Sequence, residues 1–282
     1  MRMVAELDDN PFVLHPEPTS FQGLVPDRPP AAIELCDLRK SLGGKPVLEG
    51  ISLRVEKGET MCIIGGSGTG KSVTLKHIVG LMHPDSGHVL IDGEDITRSP
   101  NGELAEARKK IGFLFQGAAL LNSLDVFENV ALPLREHERL SADEIRNRVF
   151  EKLELVHLGE AVHKMPAVLS GGMKKRVGLA RAIVRNPETI LYDEPTAGLD
   201  PVTASNINKL ILEMQQKLGV TSILVTHDMS SAFRVSNRMA MLHQGRLIKV
   251  GSLEEFKQSE DPIVQQFIYG DSEGPLTREN HK

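Results

Sequence analysis

Gly65-Gly66-Ser67-Gly68-Thr69-Gly70-Lys71-Ser72 is the stretch from which the rest of this 282-residue chain is read. It has the form G-x-x-x-x-G-K-[ST], a loop that cradles phosphates. Upstream, Met61-Cys62-Ile63-Ile64 is a short apolar run bounded by glycine, as suits a buried parallel strand. Downstream, Val73-Thr74-Leu75-Lys76-His77-Ile78-Val79 continues as a helix. The motif needs strand, glycine-rich turn and helix in that order. Its glycines let backbone N–H groups converge on phosphate oxygens, and the helix N-terminus adds partial positive charge. Gly65, Gly66, Ser67, Gly68, Thr69, Gly70 and Val73 are therefore expected to surround the phosphates of a nucleoside triphosphate. Lys71 is expected to reach the β- and γ-phosphates, and the Ser72 hydroxyl to hold Mg²⁺.

The length allows one large domain or two small ones, either able to bury a core. A net charge of −5 argues against a nucleic-acid-binding surface as the main function. The two cysteines, Cys36 and Cys62, fall in expected strands, where packing in a reducing cytoplasm suits them better than a disulfide. No apolar run approaches the roughly 18 residues of a membrane span, and Met1–Asn10 lacks the pattern of a signal peptide. Any membrane role is thus expected to come through a partner.

Along the chain, residues 1–32 carry Pro11, Pro16, Pro18, Pro26, Pro29 and Pro30 and read as an extended or disordered arm. Ile33–Leu38 alternates as a half-buried strand. Gly43-Gly44 turns the chain into Val47–Val55, expected as two strand pieces broken at Glu49-Gly50. Pro84-Asp85-Ser86-Gly87 turns into a strand at His88–Asp92, and Ile111–Phe115 is another strand, ending at Gln116. From about 117 to 169 the pattern is helical. There Ser141-x-x-Glu144 forms a capping box ahead of a core-packing stripe of Ile145, Val149, Leu153 and Val156. A helix is expected over Lys174–Arg185, a strand over Ile190–Glu194, and a helix from Asp200-Pro201. Ser222–Thr226 is a strand delivering His227; Arg238–Leu242 and Arg246–Val250 form a hairpin about Gln244-Gly245, and Ser252-x-x-Glu255 caps a late helix. The chain is thus partly antiparallel β and partly parallel α/β, with a helical insert.

Four further elements follow the phosphate loop in order. Asp193 ends an apolar strand, where an acid holds Mg²⁺, commonly through water. Glu194 would polarise the attacking water as a general base. Alone, an Asp-Glu pair reads as a solvated strand end; behind a phosphate loop it reads as catalytic. His227 is positioned to contact the γ-phosphate and hold water and base in line, and the Gln116 amide to bind Mg²⁺ or water. Ser170-Gly171-Gly172 opens a helix as a second anion site, or simply as an N-cap.

Leu169-Ser170-Gly171-Gly172, with Gln116, Asp193-Glu194, Ala197-Gly198-Leu199-Asp200 and His227, resembles the motif set of the ATP-binding-cassette ATPases over residues 33 to about 258. The resemblance implies a P-loop NTPase (RecA-like) α/β core with an antiparallel β subdomain and an α-helical subdomain inserted at about 117–169. Residues 33–258 would be the ATPase domain, with a C-terminal helix and polar tail over 259–282. ATP and Mg²⁺ are the implied cofactors. Two chains would form a head-to-tail homodimer when ATP is bound, each phosphate loop facing Ser170, Gly171 and Gly172 of the opposite protomer, with Asp200 near the axis. The helical insert and the Gln116 loop would dock an integral membrane permease. Two departures stand out: Met173 follows the second glycine where glutamine is usual, and Leu42 occupies the place of the adenine-stacking aromatic.

These departures, and the stretch from Phe115 to His137, are similar to the ATPase of the MCE-type phospholipid transporters, the Mla system of Gram-negative envelopes. That likeness implies a phospholipid-transport ATPase held peripherally at the cytoplasmic face of the inner membrane. Further partners would be an MCE-domain lipid-binding protein and a small STAS-type subunit. The competing expectations are the ATPase of a solute importer or exporter, a non-transport cassette acting on ribosomes or DNA, and a nucleotide-binding regulator without turnover. The non-transport reading lacks its usual second cassette or long coiled coil, and the regulator is disfavoured by Lys71, Glu194 and His227 being present together.

Overall fold

The structure is a computed structural model and describes residues 29–99 and 101–279. The arm expected over 1–32 lies outside them through residue 28. Ala31 and Ala32 are buried, and Ala32 accepts a hydrogen bond from the Asp92 N–H at 3.1 Å. The strands are β1 (Ile33–Leu42), β2 (Lys45–Val55), β3 (Thr60–Ile64), β4 (Ser86–Ile91), β5 (Glu94–Asp95), β6 (Ile111–Leu114), β7 (Thr189–Asp193), β8 (Thr221–Thr226), β9 (Arg238–His243) and β10 (Arg246–Ser252). The helices are α1 (Lys71–Ile78), α2 (Asn101–Lys109), α3 (Val126–His137), α4 (Ala142–Leu155), α5 (Gly171–Ile183), α6 (Pro201–Leu218), α7 (Met229–Val235), α8 (Leu253–Lys257), α9 (Pro262–Tyr269) and α10 (Pro275–Glu279).

A six-stranded sheet in the order β10-β9-β3-β8-β7-β6 runs parallel from β9 to β6. Its central strands are apolar at consecutive positions because both faces are covered. Cys62, Ile64, Tyr192, Leu224 and Met241 face a core built with α3, α4, α5 and α6, while Met61, Ile63, Leu191, Val225 and Leu242 face the other. That second core lies under α1 and a four-stranded antiparallel sheet in the order β2-β1-β4-β5. The fold is therefore the α/β core with an antiparallel β sheet and a helical segment that the sequence implied.

Local differences have physical causes. The break expected at Glu49-Gly50 is a bulge inside one continuous strand: Gly50 has φ +89, and pairing jumps from Leu38↔Ile51 to Arg39↔Glu49. α5 begins at Gly171, three residues earlier than expected, because the Ser170 hydroxyl accepts from the Met173 N–H. The capping boxes at Ser141–Glu144 and Ser252–Glu255 are both formed. Val149, Leu153 and Val156 are fully buried, and Ile145 packs at the margin of the same core. Residues 271–277 fold back on α9, where buried Gln266 donates to Asp271 O and Thr277 Oγ1 and accepts from the Leu276 N–H at 2.8 Å.

Candidate nucleotide site

Ile64, Asp193 and Thr226 end three adjacent parallel strands, and the paired registers Ile64↔Thr226 and Asp193↔Val225 bring their C-terminal edges level. Ligands of open α/β sheets bind at that edge. The loop Gly65–Gly70 leaves β3 and turns into α1, whose preceding residue Gly70 has φ +106. A Cβ at Gly70 would stand 2.6 Å from Leu48 Cδ2 and 3.0 Å from Val47 O, so only glycine lets the loop pass under β2. The Lys71 Nζ sits inside the loop, donating to Gly65 O at 2.7 Å and Gly66 O at 2.9 Å.

The sequence-expected groups converge here. Lys71 Nζ lies 3.8 Å from Glu194 Oε1. Burial pushes the Lys71 pKa down from its ordinary value, and the carboxylates of Glu194 and Asp193 oppose that shift. Ser72 Oγ donates to Asp193 Oδ1 at 2.8 Å. Burial raises the Asp193 carboxyl above the usual range against that hydrogen bond. Glu194 is buried, and its carboxylate is held on both oxygens: Thr226 Oγ1 donates to Oε2 at 3.1 Å and His227 Nδ1 lies 2.9 Å from Oε1. The Thr226 hydroxyl accepts in turn from the Asp228 N–H at 3.0 Å. Thr226 and Asp228 were not singled out in the sequence; their position on either side of His227 is the signal that could have found them.

A hydroxyl and a carboxylate 2.8 Å apart are hard oxygen donors at the mouth of a phosphate loop. Among the described residues no cluster of three or more His, Cys, Asp or Glu could hold a metal. That donor set fits Mg²⁺, which takes one or two carboxylates and completes its shell with water and phosphate. The Gln116 side chain is exposed, and its backbone carbonyl, not its amide, makes the contact seen, accepting from Lys175 Nζ.

Ser170, Gly171, Gly172 and Asp200 form a second group. No hydrogen bond or ion pair among the described residues links them to the phosphate loop of the same chain. Asp200 caps α6 through the Val202 and Thr203 N–H groups at 3.0 Å each. A Cβ at Gly172 would run into Thr203 Cγ2, and one at Gly171 would meet Leu199 Cδ2 at 3.3 Å. The starts of α5 and α6 are thus packed together, with Ser170, Gly171 and Asp200 exposed.

The ABC transporter family profile matches residues 48–197, more than half of the chain. A Mycobacterium leprae protein named "Probable ribonucleotide transport ATP-binding protein mkl" is 43% identical, covering 89% of this chain and 72% of its own. The "Intermembrane phospholipid transport system ATP-binding protein MlaF" of Haemophilus influenzae is 41% identical, covering 86% of this chain and 92% of its own. Among solved structures, a dimeric post-hydrolysis state of the ATP-binding cassette MJ0796 with ADP and Pi superposes with a TM-score of 0.73 at 34% identity, over 78% of this chain and 98% of that one. The phosphate loop at the edge of a parallel sheet, the buried Glu194 beside it and these likenesses agree: the chain belongs to the ABC transporter family, among its ATPases.

Proposed function

We propose that this chain is the ATP-hydrolysing subunit of a transporter that moves phospholipid across the bacterial envelope through a separate membrane permease. The observation carrying the chemistry is the Glu194 carboxylate, fixed by Thr226 and His227 beside Lys71 and the Ser72–Asp193 pair. Backbone N–H groups of Gly65–Ser72 would bind the phosphates and Lys71 would neutralise them. Ser72 and Asp193 would hold Mg²⁺, which offsets phosphate charge when bound. Glu194 would take a proton from water, with His227 keeping the carboxylate aimed. Exposed Ser170 and Gly171, with Gly172, suit a head-to-tail homodimer in which they face the opposite protomer's phosphate loop.

The phospholipid reading rests on the MlaF relatives, which match over nearly their whole length, and on the stretch Phe115–His137 with Met173. No helix among the described residues is long and apolar enough to cross a membrane, which suits peripheral attachment at the cytoplasmic face through the permease. A cleft of about 390 Å³ between edge strand β6, α3 and α5, lined by Phe113, Phe115, Pro133 and His137, offers the permease a seat. An MCE-domain protein and a small STAS-type subunit would complete the assembly. The mkl relatives favour a second reading, ribonucleotide transport.

Two experiments test this reading. Purified Glu194→Gln should bind ATP without turnover and elute as a dimer in size-exclusion chromatography with ATP and Mg²⁺; a purely monomeric profile counts against the sandwich. Deleting the gene should alter outer-leaflet lipids and weaken the envelope against detergent. Unchanged lipids with lost ribonucleotide uptake would favour the second reading.

A further inference from the structure

α5 sends two cations back against the chain. Lys175, 5% exposed, donates from Nζ to the backbone carbonyl of Glu194 at 2.9 Å and also to that of Gln116. Arg181 donates to Ala119 O at 2.8 Å and Ala118 O at 2.6 Å. Neither cation has a carboxylate within ion-pair distance among the described residues. Burying an ammonium against carbonyls alone is costly, so the conformation it secures must matter.

Three of the four carbonyl-bearing residues share a feature. Glu194, Ala118 and Ala119 have φ of +47, +60 and +47, in the left-handed region that side chains other than glycine disfavour. Glu194 is doubly disfavoured there, because a residue before proline is pushed toward extended backbone and Pro195 follows it. Such a turn persists only when its surroundings determine it. The Glu194 N–H donates to Val225 O at 3.0 Å, and the carboxylate is held by Thr226 and His227. Lys175 holds the remaining group, the carbonyl. Burial draws the Lys175 pKa down, and the nearby Asp193 and Glu194 carboxylates oppose that shift.

We infer that Lys175 is a positioning residue for hydrolysis: it holds the Glu194 main chain in the turn that aims the carboxylate, and ties that turn to the loop at Gln116. Placement of the Gln116–Ala119 loop and aim of the Glu194 carboxylate then change together, through one side chain of α5. The inference rests on Glu194 being the group that polarises water.

The test uses the full-length chain with ATP and Mg²⁺. Lys175→Met removes the ammonium and keeps an apolar stem; Lys175→Arg keeps a cation with several donors. Lys175→Met should lower kcat at least tenfold with affinity for a fluorescent ATP analogue within twofold of wild type, and Lys175→Arg should restore a third or more of kcat. A Lys175→Met kcat within twofold of wild type overturns the inference, as does an equal fall in kcat and affinity. Glu194→Gln, run alongside, separates the two readings. Retained turnover there defeats the role of Glu194, whereas a dead Glu194→Gln beside an unimpaired Lys175→Met defeats only the positioning role.

The chain has no tryptophan, and a Cβ at Gly117 meets nothing within 4 Å, so Gly117→Trp supplies a single reporter beside Gln116. Lys175→Met should lower its fluorescence anisotropy, and an unchanged value overturns the tie to the loop. Should Lys175→Met fail to fold, Lys175→Gln carries the same comparison, and full kcat in that variant overturns the proposal.

Discussion

Replacing Thr226 by valine removes a hydroxyl from a fully buried strand position and leaves its shape in place. Two hydrogen bonds are lost, one donated to Glu194 Oε2 at 3.1 Å and one accepted from the Asp228 N–H at 3.0 Å. A bond to a charged partner contributes about 1.5–3 kcal/mol, and a buried donor left unpaired costs about 1–3. A destabilisation of about 3 kcal/mol is expected. In a chain of this size each kcal/mol lowers Tm by about 2–4 °C, so the melt should fall by about 6–12 °C. Thr226→Ser keeps the hydroxyl and loses one methyl, for about 0.5–1.5 kcal/mol. The order of the two variants is therefore diagnostic. Thermal unfolding followed by circular dichroism should place Thr226→Ser above Thr226→Val, with kcat in the same order. If valine melts at or above serine, Thr226 acts by packing alone and its hold on Glu194 is refuted.

Leu42 is 41% exposed at the end of the β1–β2 hairpin and offers no ring to a base. Stacking contributes roughly 1–3 kcal/mol per base, so Leu42→Tyr should tighten binding of a fluorescent ATP analogue by about tenfold if about 1.4 kcal/mol of it is recovered; equal affinities show that another residue covers the base. Gly70→Ala should weaken the same titration more than tenfold, because its Cβ stands 3.0 Å from Val47 O at φ +106, and affinity within twofold contradicts that geometry. Ser141→Ala opens one capping box on an exposed helix start and should cost about 1 kcal/mol, about 2–4 °C in Tm, with kcat unchanged.

What the sequence made legible was local and periodic. The apolar run at 61–64, the capping boxes and the hairpin about Gln244-Gly245 each specify their element within a few residues, and each stands where expected. α2 was not foreseen: Asn-Gly-Glu-Leu-Ala-Glu-Ala-Arg-Lys offers Leu104 as its one buried apolar side chain among the described residues, too little for a periodic stripe. α7 was not foreseen: its seven residues, Met229–Val235, are too short for a helical period to stand out. In the site, residue types at strand ends pointed to Lys71, Ser72, Asp193, Glu194 and His227. The register of β7 on β8 that sets Thr226 under Glu194, and the left-handed turn at Glu194, belong to the folded chain alone. Lys175 was not singled out in the sequence, since its partners are carbonyls 59 and 19 residues away.

The strand order has a consequence for synthesis. β3, which carries the phosphate loop, is flanked by β8 and β9, neither of which exists when it leaves the ribosome. Roughly 160 residues separate Ile64 from the end of β8, about 10–30 s of elongation at roughly 5–20 residues per second. Through that interval the apolar run at 61–64 has no ladder to join and the loop no platform to hold its N–H groups convergent. A nascent chain stalled before Thr221 should therefore be unable to retain ATP, and its exposed strand should recruit chaperones; the nucleotide becomes available as a folding ligand only after β8 has been made.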